Sequence, residues 1–368
     1  MNTCNSSDPV FVIGSYRSGT SVLTWCLGQN PNILALEETN WIAYLSVYMD
    51  NLYRLGSVNK DRSNLSSIGT TVQEFNSYFG RCINNFVQEN LKKYLDASKK
   101  RALERPELIS DHYHLARSQN DPKERWVDGT PENSHFVYGL NKLFPGAKFI
   151  HLLRHPDDVA VSLQNFASIG GKNYSEEDAY RTWLRLVRAS LEAESALGSD
   201  KVLRIHYADL VEKPEEVIRE CLQFIGENFS GLCLAPLKKR INSSGRASDD
   251  FTDPATKGKP YINEAHELYK KLITEKPLFS VGDDALYSIF EDKFLRFAKQ
   301  FRLEEVDKLA AWGCNLDKEL NQCHARILEL QREVEELGSW GKSLDAAIFE
   351  KEKHILNLQN EIDRRQCR

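Results

Sequence analysis

Short apolar runs alternate with longer amphipathic segments over most of the chain. Five runs are rich in β-branched and aromatic residues, and they lie at 9–14, 32–36, 125–129, 147–154 and 201–207. Runs that are apolar almost throughout are typical of strands covered on both faces. Helical periodicity occupies the intervening segments near 19–29, 72–98, 132–143, 156–168, 176–198 and 214–226. This alternation predicts an α/β fold with a parallel, doubly wound sheet.

The stretch between the second and third apolar runs is too long to be a loop. We therefore predict a helical insertion at about 41–120, which is positioned to contribute substrate contacts. After residue 228 the chain becomes more polar, and the segment 242–260 carries glycine, proline and serine without periodicity. Helical patterning resumes over 262–310.

The C-terminal part of the chain carries a heptad pattern. Apolar residues recur in steps of four and three, at Leu316, Leu320, Cys323, Ile327, Leu330, Val334, Leu337, Leu344, Ile348, Ile355, Leu358 and Ile362. Only Gly341 and Lys351 interrupt the seam, and the Gly-Ser-Trp-Gly stretch at 338–341 indicates a hinge. The pattern predicts a coiled coil of about six heptads.

Two domains follow from this organisation: an α/β domain over 1–300 and a helical, coiled-coil extension over 301–368. The extension is expected to join copies of the chain into a homo-oligomer through residues 316–362, or to space a further module. The alternative is an amphipathic helix that folds back on the domain.

Composition narrows the range of partners and locations. The 368 residues carry a net charge of −5, so the chain lacks the overall positive charge typical of nucleic-acid-binding proteins. The eight cysteines are scattered without a CxxC pair, so we expect neither a zinc site nor a disulfide framework. No run approaches the about 18 apolar residues of a membrane span, and no signal peptide is visible. The expected location is the cytoplasm.

The first apolar run leads directly into Gly-Ser-Tyr-Arg-Ser-Gly-Thr-Ser, residues 14–21. This stretch departs from the phosphate-binding pattern G-x-x-x-x-G-K-[ST] at one position, where Thr20 replaces the lysine. A loop between a strand and a helix directs backbone N–H groups at one point and so attracts an anion. Arg17 adds a guanidinium that can bind two oxygens of a phosphate or sulfate. We therefore predict an anion site that needs no metal, formed by Ser15, Tyr16, Arg17, Ser18, Gly19, Thr20 and Ser21.

Three motifs resemble those of sulfotransferases that use 3′-phosphoadenosine 5′-phosphosulfate (PAPS). PVFVIGSYRSGTS followed by LTWCLGQNPNILALEET resembles their 5′-phosphosulfate loop, and FPGAKFIHLLRHPDDVAVSL resembles their 3′-phosphate-binding strand-loop-helix. Arg154 and Ser162 stand at the binding positions of the second motif. RIHYADLVEKPEEVIRECLQFIG resembles the next strand-turn-helix, whose tyrosine, here Tyr207, contacts the nucleotide. The resemblance covers residues 9–230 and implies a P-loop NTPase-like parallel sheet with PAPS as co-substrate.

The residues themselves agree with a second anion site. Arg154 ends an apolar strand, and ligands of open α/β sheets bind at the carboxyl ends of strands. Taken alone, Arg154 is equally consistent with a structural ion pair to Asp157 or Asp158. The late segment KKRINSSGRAS loosely resembles the basic loop that closes over the 3′-phosphate in relatives, which adds Ser244 and Arg246 to the predicted contacts. The alternative is that this segment is a disordered, charged linker.

Glu38 is the predicted catalytic base, because sulfuryl transfer requires a group that accepts the proton of the acceptor hydroxyl. It follows the second strand, and Leu-Glu-Glu-Thr-Asn at 36–40 is similar in spacing to the GEETR segment of tyrosylprotein sulfotransferases, whose second glutamate is the base. The alternative is that Glu37 and Glu38 merely favour the N-terminus of a helix at 37–48. Arg17 is the predicted catalytic cation.

Two departures from the family pattern bear on activity. Many members carry a lysine in the third-strand segment, where this chain has Gly129. The arginine that follows the glutamates of tyrosylprotein enzymes is Asn40 here, which argues against recognition of an acidic peptide. The expected reaction is sulfuryl transfer from PAPS to a hydroxyl, with a carbohydrate or glycoconjugate as acceptor. A P-loop nucleotide kinase or NTPase and an inactive sulfotransferase-like scaffold are the alternatives.

Overall fold

The computed structural model describes residues 8–36, 38–59, 62–104, 121–166, 173–238, 259–274 and 284–366. Its sheet has five parallel strands in the order β2-β3-β1-β4-β5. They are β1 (Val10–Gly14), β2 (Ile33–Ala35), β3 (Arg125–Asp128), β4 (Lys148–Leu153) and β5 (Val202–His206). Each lies within one of the five predicted apolar runs, so the predicted α/β class with a parallel sheet is confirmed.

Helices connect the strands and cover both faces of the sheet. Before β3 they are α1 (Thr20–Gly28), α2 (Trp41–Ser57), α3 (Asn64–Ser67), α4 (Val72–Glu89) and α5 (Leu91–Glu104). After β3 they are α6 (Val137–Leu143), α7 (Pro156–Gln164), α8 (Glu176–Leu197), α9 (Tyr207–Glu212), α10 (Pro214–Ile225), α11 (Pro260–Thr274) and α12 (Asp284–Gln366). Short 3-10 helices cover Pro131–His135 and Gly231–Lys238.

Alternate residues of the strands enter two separate apolar layers. Val10 and Val12 of β1 pack with α1 and α10 on one face, whereas Leu153 of β4 packs with α7, α8 and α11 on the other. Phe11 lies on this second face, with its ring centroid 5.5 Å from those of Trp126 and Phe149. Full burial of side chains this large contributes about 2–3 kcal/mol each. The layers therefore hold the strand ends in a rigid frame.

In the described part of the segment between β2 and β3, where the helical insertion is predicted, lie the four helices α2 to α5. A capping box begins α4, because Thr71 accepts from the Glu74 N–H and the Glu74 carboxylate accepts from the Thr71 N–H. Near the other end of α4, Asn84 accepts the Nε1–H of the fully buried Trp126 at 2.9 Å. This bond ties the insertion to β3.

The first helix of the insertion begins later than its sequence suggests. A helix at 37–48 is predicted, but α2 starts at Trp41, with Asn40 at its N-cap. Glu38 therefore lies before the helix, and Glu37 lies outside the described residues. The prediction of a helix start at residue 37 is wrong, because the N–H groups of Leu36 and Thr39 donate to β3 and its loop instead.

The chain divides into two compact units, up to Arg296 and from Phe297 onward. In the first unit, Phe290 and Phe294 of α12 pack at 5.8 and 5.2 Å from the Tyr138 ring of α6. In the second unit the helix is continuous through the Gly-Ser-Trp-Gly stretch at 338–341. The long C-terminal helix is confirmed, while the assignment of the two units as an α/β domain and a coiled-coil extension stays a prediction. None of the described helices is both long and apolar enough to cross a membrane.

Candidate functional site

The loop after β1 folds tightly around three residues in unusual backbone conformations. Gly14, Arg17 and Gly19 have φ values of 139°, 62° and 98°. A Cβ on Gly14 would lie 2.5 Å from the carbonyl oxygen of Leu152, so only glycine allows this approach to β4. The Ser18 N–H donates to the Ser15 carbonyl at 3.2 Å, which closes the turn just before α1. The first N–H groups of α1 have no acceptor within the helix and face the same loop.

Two serine hydroxyls of the loop are buried without a protein partner. Ser15 and Ser18 are 0% and 1% exposed, and within the described part of the chain their Oγ atoms have no hydrogen-bond partner. Buried hydroxyls almost always have a partner, so these two are available to a ligand. Thr20 is buried at the start of α1 and Ser21 is half-buried. Tyr16 packs its side chain against the apolar layer of α7 and α8, which leaves its backbone for the loop.

Arg17 is held by residues that follow β4. Its Nε donates to Ser162 Oγ of α7 at 2.9 Å, and its guanidinium lies 5.3 Å from the centre of the Phe166 ring. The Nη1 of Arg154 in turn donates to the backbone carbonyl of Arg17 at 2.9 Å. The predicted loop residue and both predicted residues of the second motif therefore form one connected group.

Arg154 and Tyr207 meet over the same loop. The Arg154 guanidinium lies 4.5 Å from the centre of the Tyr207 ring, a cation–π contact. A Cβ on Gly19 would lie 2.6 Å from Cε2 of that ring, so the glycine makes room for the tyrosine. The Arg154 Nε lies 3.5 Å from Asp158 Oδ2, which provides the structural ion pair expected from the sequence as an alternative. The ion pair to Asp158 is therefore present, and the anion-binding role of Arg154 stays a prediction.

The site is electropositive and partly closed to water. Burial lowers the pKa of Arg17, the neighbouring Arg154 lowers it further, and Glu38 raises it. Arg17 nevertheless keeps its positive charge, because a guanidinium group stays protonated in proteins. Two cations that repel each other are stabilised by an anion between them. The loop therefore suits a ligand with more than one anionic group.

Glu38 is fixed between two backbone anchors. The Leu36 N–H donates to the Val127 carbonyl at 2.9 Å, and the Thr39 N–H donates to Thr130 Oγ1 at 3.0 Å. Glu38 has an exposed surface, but its carboxyl group is partly withdrawn from water, and this burial raises its pKa. Asp128 raises the pKa further, whereas Arg17 lowers it. Glu38 thus lies near enough to Arg17 to interact with it electrostatically, and its basicity is above that of an ordinary glutamate.

Asp128 organises the end of β3. It is fully buried, and its Oδ2 accepts from Thr39 Oγ1 at 2.5 Å and from Asn133 Nδ2 at 3.1 Å. Its Oδ1 accepts from the N–H and the hydroxyl of Thr130 at 2.8 and 2.6 Å. These bonds tie the Glu38 segment to the strand end. Sequence reasoning did not assign this role, although the Asp-Gly-Thr-Pro motif after an apolar run was the available signal.

The packing of α1 against Gly129 leaves no space for a side chain at this position. A Cβ at this position would lie 2.2 Å from Thr24 Oγ1 and 3.2 Å from Thr24 Cβ. A lysine at this position is therefore incompatible with the packing of α1, and the positive charge near the loop comes from arginines instead. Sequence reasoning also missed Ser134, whose Oγ accepts the Gly14 N–H at 3.0 Å. The predicted contacts Ser244 and Arg246 lie outside the described residues.

Comparison with known proteins identifies what the chain is similar to. The model of the sulfotransferase family matches residues 9–231, more than half of the chain. A protein of unknown function from Aquifex aeolicus is 29% identical over 225 residues, which cover 60% of this chain and 25% of that protein. Protein-tyrosine sulfotransferase 1 of Danio rerio is 24% identical over 221 residues, covering 59% of this chain and 52% of that protein. This chain therefore spans between a quarter and about half of these relatives.

A solved structure, the sulfotransferase domain of the Synechococcus PCC 7002 olefin synthase, aligns with a TM-score of 0.36 at 19% identity. The alignment covers 80% of this chain and 94% of that domain. The family match over residues 9–231 coincides with the span of the three sequence motifs, which run over 9–230. It confirms the resemblance drawn from those motifs.

Proposed function

This chain belongs to the sulfotransferase family, and we propose that it transfers a sulfuryl group from PAPS to the hydroxyl of an acceptor. The observation that carries the proposal is the connected group of Arg17, Ser162 and Arg154, in which the loop after β1 and the residues after β4 meet. Two anion-binding elements side by side suit a nucleotide that carries charged groups on both sides of its ribose.

The residues of the site fit such a donor. The unpartnered hydroxyls of Ser15 and Ser18 and the first turn of α1 would hold the 5′-phosphosulfate, together with Arg17. Arg154 and Ser162 would hold the 3′-phosphate. When bound, PAPS supplies the sulfuryl group, whose bond to the bridging phosphate oxygen breaks as the bond to the acceptor oxygen forms. No metal is needed for this assignment, because the guanidinium groups supply the positive charge.

Glu38 serves as the general base in this proposal. In its carboxylate form it accepts the proton of the acceptor hydroxyl as the hydroxyl oxygen attacks sulfur. Its raised pKa makes it a stronger base than a solvent-exposed glutamate, while the neighbouring Arg17 keeps the carboxylate form favourable. Arg17 also neutralises the charge that develops on the departing phosphate oxygen. Glu38 therefore acts on the attacking acceptor oxygen, and Arg17 acts on the departing phosphate oxygen.

A carbohydrate or glycoconjugate hydroxyl is our proposed acceptor class, and the cytoplasm is our proposed location. Asn40, in place of the arginine of tyrosylprotein enzymes, is the N-cap of α2 and offers no cation to an acidic peptide. Through the heptad residues of 316–362, the chain is also proposed to associate with itself.

One observation favours a second function, an inactive sulfotransferase-like scaffold. Many family members have a lysine at the position of Gly129, and the contact with Thr24 leaves no room for a side chain there. A scaffold would bind the nucleotide without transferring sulfate. A P-loop kinase or NTPase is the weaker alternative, because Thr20 occupies the place of the lysine that contacts the β/γ-phosphates.

The first test compares two ligands by thermal unfolding of the purified chain. We expect 3′,5′-adenosine bisphosphate to raise the Tm in the absence of metal, and ATP with magnesium to have no effect. The reverse result would overturn the proposal in favour of an NTPase. Transfer of labelled sulfate from PAPS to a panel of saccharide acceptors then separates an enzyme from a scaffold, since a scaffold binds the bisphosphate but transfers nothing.

A further inference from the structure

An apolar seam runs along the second compact unit and faces solvent in the single chain. Its residues are between 42% and 67% exposed, and they are Leu316, Leu320, Ile327, Leu330, Val334, Leu337, Leu344, Ile348, Ile355, Leu358 and Ile362. A contiguous exposed apolar stripe that extends from Leu316 to Ile362 marks an interaction site. We infer that a second copy of this chain covers it, as a parallel, in-register, two-stranded coiled coil. This builds on the self-association proposed above and is independent of the sulfuryl transfer.

The residue types at the two seam positions specify the number of strands. In the heptad abcdefg, the step from a to d is three residues and the step from d to a is four, so Leu316 is a d residue and Leu320 an a residue. The a positions are then occupied by Leu320, Ile327, Val334, Gly341, Ile348, Ile355 and Ile362. The d positions are Leu316, Cys323, Leu330, Leu337, Leu344, Lys351 and Leu358. β-branched residues at a with leucine at d favour a parallel two-stranded coiled coil.

The flanking positions agree with the parallel direction. In a parallel pair, each g residue faces the e residue five positions later in the other copy. Glu319 then faces His324, Arg326 faces Gln331, and no such pair between Glu319 and Gln359 sets like charges together. An antiparallel pair with the same overlap would instead set Glu319 against Glu361 of the other copy, twice. The parallel pair therefore avoids the like-charge contacts that the antiparallel pair would make.

Two layers of the seam oppose association and help to define the register. In the in-register pair, Gly341 faces Gly341 of the other copy, which leaves a gap in the seam. The two Lys351 side chains also face each other. Lysine can bury its methylene stem while its ammonium group reaches solvent. A shift by one heptad would set Gly341 and Lys351 of each copy against apolar residues of the other copy. Four layers instead of two would then be disrupted, and the overlap would shorten at both ends. Both copies therefore associate best without an offset.

Cys323 reports directly on the direction, because d residues of a parallel, in-register pair face their own copies. Its side chain is exposed and is not in a disulfide. In the antiparallel alternative, Cys323 would face Ile355 of the other copy instead. Disulfides form only when the Cα atoms lie within about 7 Å, so cross-linking separates the two arrangements.

The experiment uses the full chain with Cys4, Cys82, Cys314 and Cys367 replaced by serine. Under mild oxidation we expect a covalent dimer, and light scattering should give twice the mass of one chain. Adding Cys323→Ser should abolish the cross-link but leave the mass measured by light scattering at that of a dimer. Adding Glu329→Cys to this Cys323→Ser variant should not restore the cross-link, because residue 329 is at a c position, which faces away from the other copy. Cross-linking only when Ile355→Cys is added to Cys323 would overturn the parallel assignment.

A second pair of variants tests whether the seam is the interface at all. Leu330→Asp, at a d position, should convert the dimer into a monomer, whereas Leu328→Asp, at the neighbouring b position, should leave it dimeric. The two leucine side chains are 43% and 60% exposed, so each substitution replaces an exposed leucine with an aspartate. A monomeric parent chain, a trimer, or equal effects of both substitutions would overturn the inference. Binding of 3′,5′-adenosine bisphosphate, measured in parallel, reports separately on the proposed function.

Discussion

Arg17 donates its Nε–H to Ser162 Oγ across 2.9 Å, although the two residues are 145 positions apart in the chain. The bond joins the loop after β1 to the helix after β4. With the Arg154 Nη1 donating to the Arg17 carbonyl, it fixes both the backbone and the side chain of Arg17. Residues of the second motif therefore hold the loop in this shape.

Ser162→Ala should weaken nucleotide binding without unfolding the protein. A hydrogen bond to a charged group contributes about 1.5–3 kcal/mol, so we expect 3′,5′-adenosine bisphosphate to bind about tenfold or more weakly in calorimetry. Ser195→Ala is a matched control, because Ser195 Oγ donates only to the Leu191 carbonyl on the exposed side of α8. An unchanged Kd for Ser162→Ala would contradict the role given to this bond.

Glu38→Gln should abolish turnover while nucleotide binding persists. General base catalysis contributes about 10²–10⁴-fold, so kcat should fall by a factor in this range. In the parent chain the carboxylate is the active form and its pKa is raised, so kcat should fall with decreasing pH through a midpoint above that of an ordinary glutamate. This acid limb should disappear in the variant.

The control for this prediction is Glu212→Gln, on the exposed surface of α9. It should retain both kcat and the acid limb. Full turnover of Glu38→Gln would show that another group accepts the proton.

Gly129→Ala should destabilise the domain, because the new Cβ would lie 2.2 Å from Thr24 Oγ1. Overpacking costs about 1–3 kcal/mol, which lowers the Tm of a chain of this size by several degrees. Gly231→Ala should leave the Tm unchanged, since no heavy atom lies within 4 Å of the added Cβ. Combining Gly129→Ala with Thr24→Ala should restore much of the loss, and failure of this rescue would contradict the assigned clash.

Glu194 should make the fold sensitive to acid. Burial alone would raise its pKa, but hydrogen bonds and attraction from His151 and Arg204 lower it to about 2. A depressed folded-state pKa gives stability that is present above the unfolded value near 4.5 and is lost as the pH falls towards 2. The contribution is about 3 kcal/mol.

Urea unfolding of the parent chain between pH 7 and pH 3 should therefore show a falling midpoint. Glu194→Gln should lower the midpoint at pH 7 and flatten this dependence. Glu192→Gln serves as the comparison on the same helix, because its exposed pair with Lys293 contributes at most about 1 kcal/mol. If the urea midpoints of the parent chain and Glu194→Gln had the same pH dependence, the acid sensitivity could not be assigned to Glu194.

The sequence by itself determined the strands and most helices, and it supplied the residues that we predict for the anion site. Strands such as β1 and β4 are short and apolar throughout, so their identity depends on local pattern more than on distant contacts. The loop at 14–21, Arg154, Ser162 and Tyr207 follow from motifs that adjoin those strands. The heptad residues are likewise visible without a structure, since their spacing is a property of a single helix.

Only the tertiary structure decided how these pieces meet. The start of α2 at Trp41, the role of Asp128 and the closure of Gly129 by Thr24 all depend on contacts between β3 and elements far from it in sequence. Such contacts follow from the strand order β2-β3-β1-β4-β5, which brings β1 between β3 and β4. Local periodicity does not encode that order, because it results from how the apolar faces of all the elements pack together at once.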